Sequence, residues 1–183
     1  MEGSRSARFA LLAAAALAAG AAALALARRG PAGGTMTVVY RGERFDVPRV
    51  GTEYSEEQAA RIEKIILGET PPASFPSFDG LVRYQRGFAV PGQGESTGGF
   101  GDETPLGRFT FLAVEIPRRG RHRVLVYRQE GPAGAYRFFD DFICEGPHPP
   151  VLTFRAQGGE LLYVEDLTKR VLRTRTPARP RSP

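Results

Sequence analysis

Phe109-Thr-Phe-Leu-Ala-Val-Glu-Ile116 is the stretch whose reading decides the fold. Phe109, Phe111 and Ala113 alternate with Thr110, Leu112, Val114 and Ile116, and both sets are largely apolar. A strand with one wet face alternates apolar with polar residues, whereas a strand covered on both faces is apolar throughout. These eight residues therefore read as a central strand packed from two sides.

Working outward toward the C-terminus, Pro117-Arg118-Arg119-Gly120 turns the chain into Arg123-Val-Leu-Val-Tyr127. Further strand-like runs follow at Tyr136–Cys144, Val151–Phe154, Leu161–Val164 and Arg170–Leu172. Gly158-Gly159 marks one turn between them and Asp166–Lys169 the next. Short apolar segments spaced eight to twelve residues apart predict an antiparallel sheet, a barrel or a small sandwich.

On the N-terminal side, Met36–Tyr40 and Phe45–Val47 flank Arg41-Gly42-Glu43-Arg44 and predict a hairpin. Ser55 with Gln58 forms a capping box, and Ala59, Ile62, Ile65 and Ile66 follow at helical spacing, so Ser55–Leu67 is predicted to be a core-facing helix. Pro71, Pro72 and Pro76 make 69–80 a non-helical connector. Leu81–Tyr84 reads as a strand that Phe88–Val90 continues, and Pro91–Gly107, with six Gly, as a long loop. The fold class is mainly β (α+β), a single antiparallel β domain with one packed helix, preceded by an N-terminal hydrophobic helix.

That last element is Phe9–Ala27, nineteen residues of Ala, Leu, Phe and Gly without a charge. As a helix it measures about 28 Å, close to the thickness of a bilayer's hydrocarbon core. Arg5 and Arg8 precede it, Ala25-Leu26-Ala27 has the form of a cleavage site, and Arg28-Arg29 follow at once. It reads either as a single inner-membrane anchor with the body outside the cytoplasm or as a cleaved export signal. The expected organisation is 1–29 signal or anchor, 30–35 spacer, 36–174 β-rich domain and 175–183 a disordered basic tail.

Charge divides along the same lines. Residues 36–168 carry a net charge of −4, while 169–183 carry +6. A mildly acidic body with basic ends argues against a nucleic-acid surface spread over the domain. Arg175, Arg179 and Arg181 are the expected contacts to an anionic lipid or an envelope polymer. A protein partner also fits an exported scaffold.

The chemistry-bearing residues are few. Cys144 is the sole cysteine, so neither an intramolecular disulfide nor a multi-thiolate metal site can form. His122 and His148 are the two histidines. Asp140, Asp141, Glu145 and His148 are the densest set of metal-ligating types, but Asp140 and Asp141 face opposite sides of a strand. The glycines of 91–107 run into a strand rather than a helix, which argues against a phosphate cradle. No catalytic constellation, cofactor or metal is assigned. The candidate site residues are Thr104, His122, Asp141, Cys144 and His148, with a small-ligand site under the 91–107 loop as one reading.

Thr104-Pro-Leu-Gly-Arg-Phe109 resembles the Thr-Pro-x-Gly-x-Phe stretch that precedes a strand in L,D-transpeptidase domains, which cross-link peptidoglycan. The resemblance implies a β-rich envelope domain. It covers six residues, and the family's Ser-His-Gly-Cys signature and upstream His have no counterpart here. Cys144 stands in Phe142-Ile-Cys-Glu-Gly146, with His148 after it. The resemblance thus implies a degenerate relative of that family; a cell-envelope enzyme is the other alternative to the reading as a non-catalytic binding or scaffolding domain tethered at the envelope.

Overall fold

The computed structural model describes residues 34–49, 53–92, 97–130 and 134–176. Thr35–Pro183 forms a unit separate from Met1–Gly34. Phe9–Ala27, Arg179 and Arg181 lie outside the described residues. No described helix is long and apolar enough to cross a membrane.

The fold is mainly β, with ten antiparallel strands and two helices among the described residues. Strands β5 (Gly107–Ile116) and β6 (Arg121–Gln129) form its centre. They lie inside a five-stranded sheet of order β3-β7-β6-β5-β4, with β3 at Ser74–Phe75, β7 at Tyr136–Glu145 and β4 at Thr97–Thr104. The alternation in β5 divides its side chains between two cores, as the sequence predicts. Leu112, Val114 and Ile116 join Leu125 and Tyr127 on one face, while Phe109, Phe111 and Ala113 join Val124 and Val126 on the other.

The first face is covered by the hairpin β1 (Thr35–Tyr40)–β2 (Glu43–Pro48) and by helices α1 (Glu56–Gly68) and α2 (Phe78–Phe88). The hairpin closes through a two-residue turn in which Arg41 and Gly42 both have positive φ, the geometry that matches strand twist. Helix α1 begins as predicted. Ser55 Oγ accepts from Gln58 N–H at 3.2 Å while Gln58 Oε1 accepts from Ser55 N–H at 2.8 Å, and Ala59, Ile62 and Ile66 are buried.

The second face is covered by a three-stranded sheet of order β10-β9-β8, with β8 at Leu152–Gln157, β9 at Glu160–Glu165 and β10 at Val171–Arg175. Its Leu152, Phe154, Leu161 and Tyr163 complete the second core. Strand β8 lies beside β4, where Phe154 N–H donates to Asp102 Oδ2 at 2.7 Å.

Two segments differ from the sequence reading. Leu81–Tyr84 is not a strand, and 69–80 is not wholly irregular, because α2 runs from Phe78 to Phe88. Ser77 caps it by accepting from Gly80 N–H at 3.3 Å, Asp79 and Arg86 complement its dipole, and Leu81 and Phe88 are buried on one face. Gly80, Val82 and Gly87 lower its intrinsic propensity, and tertiary burial overrides them. The 91–107 loop likewise contains β4, whose glycines are held by pairing with β5 across a register shift between Gly99 and Asp102.

Candidate functional site

Thr104-Pro-Leu-Gly107, the turn between β4 and β5, is the foundation of the candidate site. Thr104 Oγ1 accepts from Leu106 N–H at 3.1 Å and donates to Gly107 O at 2.8 Å, so its hydroxyl closes the turn. Gly107 is required twice over. Its φ is +121°, and a Cβ there would lie 2.7 Å from Arg128 Nε. The bare glycine lets the Arg128 guanidinium lie against the turn, with its Cζ 5.9 Å from the centroid of Phe109. The six residues Thr104–Phe109 thus form a seat for Arg128.

Arg128 looks into a cleft of about 670 Å³ at the end of the sheet where β4 meets β5, β6 ends and β7 begins. Arg108, Arg128 and Arg137 supply its positive charge, Glu103 and Glu130 its negative charge, and Phe138 and Phe139 its apolar lining. Arg137 Nε is 2.6 Å from Glu130 Oε1, but both side chains are at least half exposed, so this pair is readily exchanged for a ligand. Arg128 has no carboxylate partner among the described residues. A carboxylate or phosphate entering the cleft meets a guanidinium fork held in place by a ring and a backbone turn, beside an apolar surface.

The residues singled out in the sequence do not converge on this cleft. Thr104 lines it. His122 and Cys144 are cross-strand partners near the opposite end of β6, about 20 Å along the strand from Arg128. His122 is buried, neither ring nitrogen has a hydrogen-bond partner among the described residues, and burial with the charge of nearby His148 holds its pKa below the ordinary value. Burial pushes the Cys144 thiol up to about 11, which disfavours the thiolate a nucleophile requires. His148 is exposed in the Pro-flanked segment after β7.

Asp140 and Asp141 do face opposite ways. Asp141 pairs with Arg123 under α1, whereas Asp140 is buried toward the second sheet. There it accepts from Tyr163 Oη at 3.0 Å and pairs with Arg173 at 2.8 Å and Arg175 at 3.0 Å. Arg175 is therefore the last residue of β10, spent on an internal carboxylate, and not the first of a free tail. Among the described residues no three His, Cys, Asp or Glu side chains are placed to hold a metal ion.

Arg128, Arg108, Arg137 and Phe138 were not legible as a site. Their convergence depends on strand register, and the one sequence signal was the Thr-Pro-x-Gly-x-Phe turn that seats Arg128. Comparison with protein-family models, curated proteins and solved structures finds no match.

Proposed function

We propose that this protein is a membrane-tethered, non-catalytic binding domain of the cell envelope that holds an anionic ligand in the arginine cleft. The observation that carries the reading is Arg128. Its guanidinium is fixed by Gly107 and Phe109, lines a cleft of about 670 Å³, and is unmatched by any described carboxylate. Supporting a binding role over a reaction, the Thr104 hydroxyl is committed to its turn, and Cys144 and His122 stand at the far end of β6. The tether is proposed on Phe9–Ala27, whose length and composition suit a bilayer-spanning helix, with the domain outside the cytoplasm.

The test is a ligand-observed NMR screen of the full chain in detergent against small phosphates, carboxylates and their uncharged analogues. Anionic members are expected to bind, and Arg128→Ala to weaken them roughly 10- to 100-fold, the equivalent of one hydrogen-bonded charge pair. Arg83→Ala, on the exposed side of α2, serves as the control. Binding indifferent to Arg128→Ala, or equal for the uncharged analogues, would overturn the assignment. A reporter active only outside the cytoplasm, fused after Gly34 and after Pro183, tests the topology, and silence at both points sinks it.

A further inference from the structure

The turn between β9 and β10 holds an apolar side chain out in water. Glu165 accepts from Leu167 N–H at 3.2 Å, from Thr168 N–H at 2.6 Å and from the Thr168 hydroxyl, and its own N–H donates to Arg170 O at 2.8 Å. Asp166 N–H donates to Val151 O at 2.7 Å, and Lys169 Nζ lies 2.6 Å from Asp166. Within this braced turn Leu167 is 80% exposed, and Val151, Val171 and Ile143 nearby are each at least 40% exposed.

The same end of the domain receives the chain. Gly146 N–H donates to Gly120 O at 2.9 Å, joining the end of β7 to the β5–β6 turn. Arg118 and Arg119 of that turn pair with Glu56 at the start of α1, where Gln58 donates to Asp46 O at 2.8 Å. Thr35, the first residue of β1, pairs with Pro48 two residues further along β2. Only seven residues, 28–34, separate Thr35 from Ala27, a reach of at most about 25 Å. The arginine cleft lies at the other end of β6.

We infer that this end is a bilayer-docking surface, with Leu167 entering the headgroup–acyl boundary of an anionic membrane and Arg170 at headgroup level. An apolar apex beside cationic side chains is the composition of an interfacial contact. Of the two cations beside the apex, Lys169 is paired with Asp166, whereas Arg170 is exposed and has no described carboxylate partner; the exposed Glu145 disfavours contact deeper than the turn. The inference rests on the reading of Phe9–Ala27 as a bilayer-spanning helix. It adds that the domain lies against that bilayer by one end and presents the cleft away from it.

The chain has no Trp, so one introduced residue reports alone. Full-length Leu167→Trp and Phe138→Trp are reconstituted into vesicles of phosphatidylglycerol and phosphatidylcholine carrying brominated acyl chains. The expected result is co-flotation of both, with Trp emission at 167 blue-shifted and quenched several-fold more than at 138, and with quenching reduced by Arg170→Glu. Co-flotation with equal, weak quenching at both positions overturns the docking while leaving the tether intact. Failure to co-float overturns the tether and the docking together.

Discussion

Arg123 Nη2 lies 2.5 Å from Asp141 Oδ2, and the same guanidinium donates to the carbonyls of Ile66 and Glu69 at the end of α1. The last carbonyls of a helix lack intrahelical partners, and here a buried arginine from the central sheet satisfies them. Asp141 balances a charge that is only 5% exposed. Asp141→Ala is expected to destabilise the fold by about 2 kcal/mol, moderated because Asp141 itself reaches solvent and Arg123 keeps its carbonyls. Urea unfolding measures it, and a value under about 0.5 kcal/mol would show the pair to be incidental.

Truncation should find its boundary between Thr176 and Arg175. Residues 177–183 are three Pro, two Arg, one Ala and one Ser, with no large apolar side chain to add to a core, and their removal is expected to change stability by no more than about 0.5 kcal/mol. Removing Arg175 as well strips one of the two arginines from buried Asp140 and is expected to cost about 1 kcal/mol more, since Arg175 is half exposed and Arg173 remains. Two thermal melts decide the matter, and equal melting of the two truncations would remove Arg175 from the fold.

His122 should make stability fall in mild acid. Its folded pKa is depressed, so above the unfolded value near 6.5 both states are neutral and stability is full. Below 6.5 the unfolded chain takes up a proton that the buried ring resists, and stability declines as pH falls toward the folded pKa. Melts between pH 7.5 and about 5.5, above the ordinary carboxylate range, isolate the effect. His122→Phe is expected to flatten that slope, and an unchanged slope would assign it elsewhere.

Gly107→Ala should damage the fold and the cleft together. A side chain at φ +121° is strained, and its Cβ meets Arg128 Nε at 2.7 Å, so the guanidinium must leave its seat. A loss of about 1–3 kcal/mol in stability is expected, with weakened binding of any anionic ligand that Arg128 holds. Arg128→Ala in the Gly107→Ala background separates the two effects. If it weakens binding no further, the glycine acts through the arginine.

How much of this was legible in the sequence follows from what each signal depends on. The double alternation of Phe109–Ile116 states burial on two faces by itself, and the Ser55–Gln58 box states a helix start, because both are written in neighbouring residues. Helix α2 was hidden because Gly80 and Gly87 depress propensity and only the burial of Leu81 and Phe88 restores it. Strand β4 was hidden because its glycines carry no pattern and its order comes from β5. The cleft was hidden for a different reason. Arg108, Arg128 and Arg137 meet only through the pairing of Arg108 with Gln129 and of Arg128 with Arg137, which no local spacing encodes.

The β5–β6 hairpin has no face meant for water, and that sets a hazard before the domain is complete. Until both covering layers arrive, Phe109–Ile116 and Val124–Tyr127 form an apolar ribbon open on two sides, the composition that seeds intermolecular stacking in a nascent chain. The arginines at its borders act as gatekeepers against this. Arg108 and Arg128 close one end and Arg118, Arg119, Arg121 and Arg123 the other, so each apolar run is bounded by charges that repel a second copy stacked in register. The side chains that cap α1, hold the β5–β6 turn and line the cleft in the finished domain thus also stand at the positions where charges oppose such stacking.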